Sequence, residues 1–468
     1  MFFKDSIFLR KNALKSTKKE DDYLQNFNRY LVNNFNPEEL DRIAKETGFI
    51  ERSGKIDAFK FLTCLVFNGY DQKDTSLLNL KIDFWEHHDC DVSRVAIHKR
   101  FNASAVEFMK RILSQHIAGR FTQEQSMSTK FTGILIKDST KFSIPKNLYE
   151  DYPGYNGYHP GQALMNLQYE FDMVSGNWKS FEITKATRND QEDSKKTLDN
   201  IEPGTLLLRD LGYVTMTYLK GVSKREAYYL NRLPTSFNVF YKEGRDVKKI
   251  DWAEVDEKMG KGKLGEMELS VFLGNDEMLP SRLIIQPVPE EVYQERIRKA
   301  AKHAKSKGCQ LSKEYKIKSR YNLFITNTPK DQLSTSEVRQ VYRLRWQIEL
   351  IFKTWKSNLK IHVTKKVKKE RFECQLIAKI IWIVLNWRLF QIANLRIKSM
   401  KKYLGCSVVK FFKQAKSFSS TLRNLIIHQL SPEEWFRKRF NPLIPNFIIE
   451  QKNGKQTHCQ IFNETIIC

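Results

Sequence analysis

Residues Phe131–Asp138 read FTGILIKD, and residues Thr205–Asp210 read TLLLRD. Each stretch is a short apolar run, which is typical of a strand that is buried on both faces of a sheet. Each run ends in an aspartate, so we expect Asp138 and Asp210 to be placed rigidly at strand ends. Carboxylates in such positions suit a hard metal cation, although aspartate is also a common residue where a strand stops and a turn begins.

The sequence between and after these two runs predicts a mixed α/β layer. Gly161–Asp172 alternates apolar and polar residues, and a Ser-Gly-Asn turn separates it from Trp178–Thr184, so we expect a β-hairpin. Short helices are expected over Asp193–Ile201 and from Tyr213 to Lys220. The order strand, hairpin, helix, strand, helix is typical of an α/β fold.

Residues 1–125 are predicted to form successive short helices. Asn36 followed by Pro37 is a helix start signal. A further short helix is expected over Ser93–Phe101, where Ser93–Arg100 carries Arg94, His98, Lys99 and Arg100. Two interpretations stay open for this segment: a helix-turn-helix that reads DNA, or a helix with a solvated basic face.

Residues 221–333 are predicted to be β-rich, with one very basic helix over roughly Glu290–Lys307. From Ser334 to about residue 430 the pattern is mostly helical. The most apolar stretch, Ile380–Trp387, is too short to span a bilayer, and we expect a buried helix there.

The segment Ser334–Lys360 is predicted to form one or two helices and has the most specific pattern in the chain. Tyr342, Arg345, Glu349 and Lys356 fall within an arc of roughly 60° on a helix of 3.6 residues per turn, and Lys353 extends the same side. A separate apolar arc faces a core. A solvated face with pairs such as Glu349–Lys353 is the alternative, and it explains the acid and the lysines better than the tyrosine and the arginine.

The spacing Tyr-x2-Arg-x3-Glu-x6-Lys at these four positions resembles the signature of bacterial insertion-sequence transposases of the DDE type. Three further segments resemble the same family: Asp-Ser-Thr at Asp138–Thr140, Arg-Asp-Leu-Gly-Tyr at Arg209–Tyr213, and Tyr-Leu-Asn-Arg-Leu at Tyr229–Leu233. The similarity extends along nearly the whole chain.

This resemblance implies an α/β fold with an RNase H-like mixed-sheet catalytic core in residues 126–220 and 334–375. A β-rich insertion with a basic helix, residues 221–333, interrupts that core. Residues 1–125 are then a helical domain that binds DNA ends, and residues 376–468 a helical C-terminal region that dimerises the protein.

The resemblance also implies a catalytic site in which Asp138, Asp210 and Glu349 converge on two Mg²⁺ ions, with Mn²⁺ as a substitute. Three carboxylates without metal would repel one another, and at least one would tend to bind a proton. The resemblance also implies that Tyr342, Arg345 and Lys356 contact backbone phosphates of the DNA. Lys353 beside them and Arg232 in the insertion are further candidates for DNA contact. Two interpretations stay open for Trp346: it stacks on an unpaired base, or it is partly buried at the helix edge.

The implied function is cut-and-paste DNA transposition. The protein would bind the terminal inverted repeats of its element, pair them as a homodimer, hydrolyse the strands, release the element through a DNA hairpin and join it to target DNA. Two alternatives are a catalytically inactive or repurposed DNA-binding protein, and a metal-dependent nuclease that acts on branched DNA.

Composition agrees with a polyanionic partner. The 468 residues include 79 Lys or Arg and 54 Asp or Glu, a net charge of +25, while 41% hydrophobic and 12% aromatic residues exclude wholesale disorder. The stretch Arg296–Arg320 contains ten Lys or Arg and one acid, and we expect it to track phosphates.

The seven scattered cysteines never form C-x-x-C, which argues against a disulfide framework and a structural zinc site. Met1–Lys15 lacks an apolar signal region. We therefore expect a bacterial cytoplasmic protein with no membrane partner, located at the nucleoid when bound to DNA.

Overall fold

The computed structural model describes residues 18–52, 54–68, 76–119, 129–155, 161–262, 264–400, 404–451 and 456–467. The expectation for Met1–Lys15 lies outside the described residues. The N-terminal helices are α1 (Lys18–Phe35), α2 (Pro37–Glu46), α3 (Ala58–Asn68), α4 (Leu77–His88), α5 (Arg94–Arg100) and α6 (Ala103–Ala118).

The central part of the chain contains the strands and short helices. The strands are β1 (Ile134–Ser143), β2 (Leu164–Asp172), β3 (Trp178–Lys185), β4 (Leu206–Arg209), β5 (Tyr228–Arg232), β6 (Val239–Glu243), β7 (Asp246–Lys249), β8 (Met267–Leu273), β9 (Leu279–Pro287) and β10 (Tyr321–Thr326). The helices are α7 (Asp190–Lys196), α8 (Met216–Lys224), α9 (Trp252–Lys258), α10 (Glu290–Ser306) and α11 (Lys313–Ser319).

The remaining helices are α12 (Thr335–Arg343), α13 (Trp346–Ser357), α14 (Lys369–Met400), α15 (Val408–Ile427), α16 (Pro432–Trp435) and α17 (His458–Thr465). Short 3-10 segments cover Lys146–Leu148, Leu198–Asn200, Leu211–Tyr213, Gly260–Gly262 and Asn441–Phe447, and a π turn covers Phe436–Phe440.

The strands form one mixed ten-stranded sheet in the order β3-β2-β1-β4-β5-β10-β9-β8-β6-β7. β4 pairs in parallel with β1 on one side and with β5 on the other, and the other pairings are antiparallel. The mixed α/β fold predicted from the sequence is therefore confirmed.

Both faces of the central strands are covered, which explains their nearly continuous apolar sequences. In β4, Leu206 and Leu208 join one hydrophobic cluster with α12–α15 and the N-terminal helices, whereas Leu207 joins a second cluster on the opposite face. Ile136 and Leu135 of β1 divide in the same way.

The predicted N-terminal helix starts are confirmed. The Asn36 side chain accepts from the backbone N–H of Glu39 at 3.0 Å, and Pro37 occupies the first turn of α2. Ser93 caps α5 in the same manner. Arg94, His98 and Lys99 are exposed on α5, and whether they read DNA stays a prediction.

The β-rich region has more elements than the sequence pattern predicts. Strands and the basic helix α10 are present as predicted, but the pattern indicates neither β7 nor α9 nor the second basic helix, α11. β7 reads DVKK and is exposed along its whole length, so it has no apolar alternation from which to predict a strand.

Helix α14 contains the apolar stretch Ile380–Trp387, which is buried as expected. Among the described residues α14 is the one helix that is long and apolar enough to cross a membrane, but 94% of its most apolar window is buried inside the protein. Such burial is typical of a core helix.

Candidate active site

Asp138 lies on β1, and Asp210 directly follows β4, the adjacent parallel strand. The register pairs Lys137 of β1 with Arg209 of β4, and both aspartates immediately follow this last pair. The expectation that Asp138 ends its strand was wrong. β1 continues to Ser143 because it keeps pairing with β2, where Asp138 lies opposite Tyr169. The two aspartates nevertheless stand together where the parallel pairing stops.

Glu349 reaches this place from α13. The predicted helical segment divides into α12 and α13. At Leu344 and Arg345 the backbone N–H groups bond the carbonyl three residues earlier, as in a 3-10 turn, such as Arg345 N–H to the Tyr342 carbonyl at 3.1 Å. The guanidinium of Arg345 donates to Glu349 Oε1 at 2.5 Å and approaches Asp138 Oδ2 at 3.5 Å. One cation thus joins two of the three carboxylates.

The site is partly withdrawn from solvent. The side chains of Asp138, Arg345 and Glu349 are 20%, 13% and 33% exposed to solvent. Burial raises the pKa of Asp138 to about 6, and the charges of Asp210 and Glu349 add to this rise. The Ser139 backbone N–H, 2.8 Å from Asp138 Oδ1, and the Arg345 guanidinium act in the opposite direction.

As the side chains stand, no group of three or more His, Cys, Asp or Glu among the described residues is close enough to hold a metal ion. The donor types nevertheless fit a hard divalent cation, since all three acids are carboxylates and a guanidinium cation is already seated against two of them.

The other two residues of the predicted signature, Tyr342 and Lys356, lie beside Arg345 and beside strand β1. The guanidinium of Arg345 lies 5.9 Å from the ring centre of Tyr342, whose hydroxyl is buried. Burial raises the pKa of Tyr342 to about 12, and the charge of Asp210 contributes to the rise. Lys356 is half-buried, and its ammonium donates to the Lys141 carbonyl of β1 at 3.0 Å.

Three further predicted DNA-binding residues lie at or beyond the edge of this group. Lys353 is exposed, and Trp346 is 54% exposed at the start of α13. Arg232 ends β5, and its charge influences Tyr342.

A polar network lies behind the aspartates, and sequence reasoning missed it. Asp190 Oδ1 accepts from the Ser139 hydroxyl at 3.2 Å and from the Gln168 amide at 2.8 Å. Gln168 in turn accepts from the Tyr213 hydroxyl at 2.6 Å, and the Tyr213 N–H bonds the Asp210 carbonyl. The network therefore joins the residue after Asp138 to the turn after Asp210. No spacing in the sequence could have indicated it, because it depends on strand pairing.

Two buried ion pairs hold β1 and β4 at the last residue pair of their parallel ladder. Arg209 is fully buried and bonds Glu170 Oε1 at 3.0 Å, Ser194 and Thr197. Lys137 pairs with Asp193 at 2.6 Å, with both side chains nearly inaccessible. Lys137 and Arg209, which directly precede the two aspartates, are thus each held by a buried ion pair.

In the basic stretch Arg296–Arg320, some cations bond other parts of the protein and others are exposed to solvent. Arg296 donates to the Ser319 and Tyr321 carbonyls, Lys318 lies over the Trp252 ring, and Arg320 pairs with Asp256. These three cations are held by the protein. The exposed cations of the stretch are Arg298, Lys299, Lys302, Lys305, Lys307, Lys313 and Lys316.

Comparison with known families gives one match that includes the whole candidate site. The family model described as "Transposase DDE domain" matches residues 129–385 of the chain.

Curated relatives match over most of the chain. The transposase for insertion sequence element IS231B of Bacillus thuringiensis subsp. berliner is 30% identical over 455 residues, which is 93% of each chain. The transposase for insertion sequence element IS1151 of Clostridium perfringens is 31% identical over 381 residues, 78% of this chain and 80% of the relative.

Among solved structures, the chain is similar to a piggyBac transposase synaptic complex with hairpin DNA. The TM-score is 0.44 at 10% sequence identity, and the match covers 93% of this chain and 88% of the other.

Proposed function

Because this chain belongs to the insertion-sequence transposases that carry a DDE domain, we propose that it performs cut-and-paste transposition through a site built by Asp138, Asp210 and Glu349. The observation that carries this proposal is the guanidinium of Arg345 between Asp138 and Glu349, beside the end of the parallel pair β1–β4. This contact supports a site shared by Asp138 and Glu349, and the position of Asp210 directly after the last β1–β4 pair supports its inclusion.

An RNase H-like core is proposed as the scaffold. The order β3-β2-β1-β4-β5, with an antiparallel β1–β2–β3 unit followed by parallel β4 and β5, supports it. We propose the same domain boundaries as predicted from the sequence: a catalytic core in 126–220 and 334–375, an insertion in 221–333, an end-binding domain in 1–125 and a dimerising region in 376–468.

The three carboxylates would hold two Mg²⁺ ions, or Mn²⁺, which when bound activate the attacking oxygen and stabilise the leaving oxygen of the phosphodiester. Arg345 would exchange its carboxylate partners for a DNA phosphate, which its planar fork can bind in bidentate fashion. The hydroxyl of Tyr342 and the ammonium of Lys356 would supply a further hydrogen-bond donor and a further cation to the DNA backbone.

Other residues extend the proposed DNA path. Trp346 is exposed enough to stack on an unpaired base, and Lys353 and Arg232 would bind further phosphates. The exposed lysines of α10 and α11 would continue the basic surface. A homodimer would pair two terminal inverted repeats, release the element through a hairpin and insert it in target DNA, in the bacterial cytoplasm and at the nucleoid.

The test is strand cleavage of linear DNA that carries the ends of the element, with Mg²⁺ or with a chelator. We expect cleavage by the wild type in Mg²⁺ and none by Asp138→Ala, Asp210→Ala or Glu349→Ala, with end binding largely retained in each variant. Cleavage by any of these variants would remove that residue from the site. End binding by a wild type that never cleaves would instead support the inactive DNA-binding alternative.

A further inference from the structure

Helix α4 has an apolar stripe on its outer face. Leu78, Ile82 and Trp85 are 51%, 41% and 63% exposed, although Leu80 and Phe84 of the same helix are buried in the core. The spacing i, i+4, i+7 aligns the three exposed side chains along one face. Single exposed apolar residues are ordinary, but an aligned set marks an interaction surface.

The stripe has the pattern of a short coiled-coil seam. Leu78, Ile82 and Trp85 occupy d, a and d positions of a heptad, which places Lys81 at g and Glu86 at e. In a parallel pair of identical helices, the g residue of one helix faces the following e residue of the other. Lys81 of one copy would then face Glu86 of the second copy, and the reverse, so the stripe is complementary to itself.

We propose that α4 pairs in parallel with α4 of a second copy of this chain through Leu78, Ile82 and Trp85. An antiparallel pair would bring Lys81 beside Lys81 and Glu86 beside Glu86, which the charges disfavour. This inference rests on the proposed function, because it assigns a second surface, besides the dimerising region proposed in 376–468, to the pairing of two DNA-bound copies.

The area of the apolar stripe determines under which conditions two copies pair through it. A stable dimer buries about 800 Å² on each partner, and three partly exposed side chains supply less than that. The pairing is therefore weak between free molecules. It becomes effective when two DNA ends hold two copies close together, since tethering raises the local concentration.

DNA is a poorer occupant for this face. Glu86 and Asp89 are both exposed at the C-terminal half of the stripe, and carboxylates repel phosphates. Lys81 already pairs with Asp91 at 3.2 Å, with 40% and 75% of the two side chains exposed. Such a pair contributes little to stability, so Lys81 can exchange Asp91 for Glu86 of the second copy.

The first experiment compares Ile82→Glu with the matched control Val247→Glu, at a 44% exposed valine on β7. The full chain is mixed, without divalent metal, with a linear duplex that carries both element ends, and complexes with paired ends are separated from complexes with unpaired ends by native electrophoresis; a duplex carrying one end gives the single-end affinity. We expect Ile82→Glu to lower the paired-end yield about tenfold with unchanged single-end affinity, and Val247→Glu to match the wild type. An unchanged paired-end yield overturns the proposal, and so does a loss of single-end binding, which would indicate a DNA surface.

The second experiment tests the charge register without placing a charge in the seam. Lys81→Glu and Glu86→Lys should each lower the paired-end yield about threefold, and the double exchange should restore it. Asp91→Asn, which removes the internal partner of Lys81, should leave the yield unchanged. Failure of the double exchange to restore pairing overturns the parallel register. Wild-type cleavage with unaffected pairing in every variant refutes this inference alone, whereas a wild type that never cleaves DNA refutes the proposed function.

Discussion

The guanidinium of Arg345 lies where three neighbouring acids need positive charge. It bonds Glu349 and approaches Asp138, so it offsets part of the repulsion among the carboxylates. Burial lowers the pKa of Arg345, but Tyr342, Glu349 and Asp210 outweigh this effect, and the pKa is raised overall. Arg345 therefore stays charged and competes with a divalent cation for the same oxygens.

This competition predicts an opposite effect of one substitution on binding and on catalysis. Arg345→Gln should increase the affinity of the DNA-free protein for Mn²⁺ about tenfold, because the carboxylates lose their internal cation, while strand cleavage falls. Electron paramagnetic resonance of free Mn²⁺ measures the affinity. Arg343→Gln, at an exposed arginine of α12, is the control and should bind Mn²⁺ like the wild type.

The raised pKa of Asp138 predicts how metal binding depends on pH. Below pH 6 the carboxyl is mostly protonated and cannot ligate, whereas above pH 6 it is charged and available. At low metal concentration, Mn²⁺ affinity should therefore fall as the pH is lowered from 7 to 5. An affinity that is constant over this interval would contradict the assigned environment of Asp138.

At the residue scale, the sequence allowed the three acids to be singled out because they follow apolar strands or lie in a spaced signature. It could not indicate Asp190. The bonds of Asp190 to Ser139 and Gln168 exist because β1 pairs with β2 and α7 begins beside both strands.

At the element scale, the exposed cations of α10 and α11 form a surface that packing does not require, since no residue of α10 is buried. The helix starts were predictable from caps such as Asn36. Two helices over Ser334–Lys360 were one of the predicted alternatives, but the position of the break was not predictable, because Leu344 and Arg345 keep helical backbone angles and only their hydrogen bonding changes.

This surface predicts a change in the salt dependence of DNA binding. Lys302→Gln combined with Lys305→Gln should weaken binding to any duplex, because fewer phosphates are neutralised. The slope of log affinity against log salt should decrease by about 0.9 for each phosphate that the double variant leaves without a cation. Lys248→Gln on β7, at the far edge of the sheet, is the control. An unchanged slope would mean that α10 does not track phosphates.

At the scale of the whole molecule, Arg388 of α14 connects three parts of the chain. It is fully buried and donates to the His116 and Gly119 carbonyls at the end of α6, and to Asn177 in the β2–β3 turn. The apolar sequence of α14 predicted its burial, but these partners lie more than 200 residues away and follow only from the assembled fold.

Replacement of Arg388 should therefore destabilise the protein as a unit. Arg388→Met leaves buried carbonyls without donors, and we expect a loss of about 3 kcal/mol in the free energy of unfolding, measured by urea denaturation. Arg298→Met, at a 76% exposed arginine, should change it by less than about 0.5 kcal/mol. Equal effects of the two substitutions would contradict the connecting role of Arg388.

The proposed transposition chemistry requires Asp138, Asp210 and Glu349 to act together on divalent cations, so the position of bound manganese is the decisive observation. Anomalous diffraction from crystals of the protein with an element end and Mn²⁺ should place manganese in contact with all three carboxylates, with Arg345 turned to a phosphate. Manganese bound elsewhere, or an Arg345 that still joins Asp138 to Glu349 in that complex, would show that the three acids do not form the metal site.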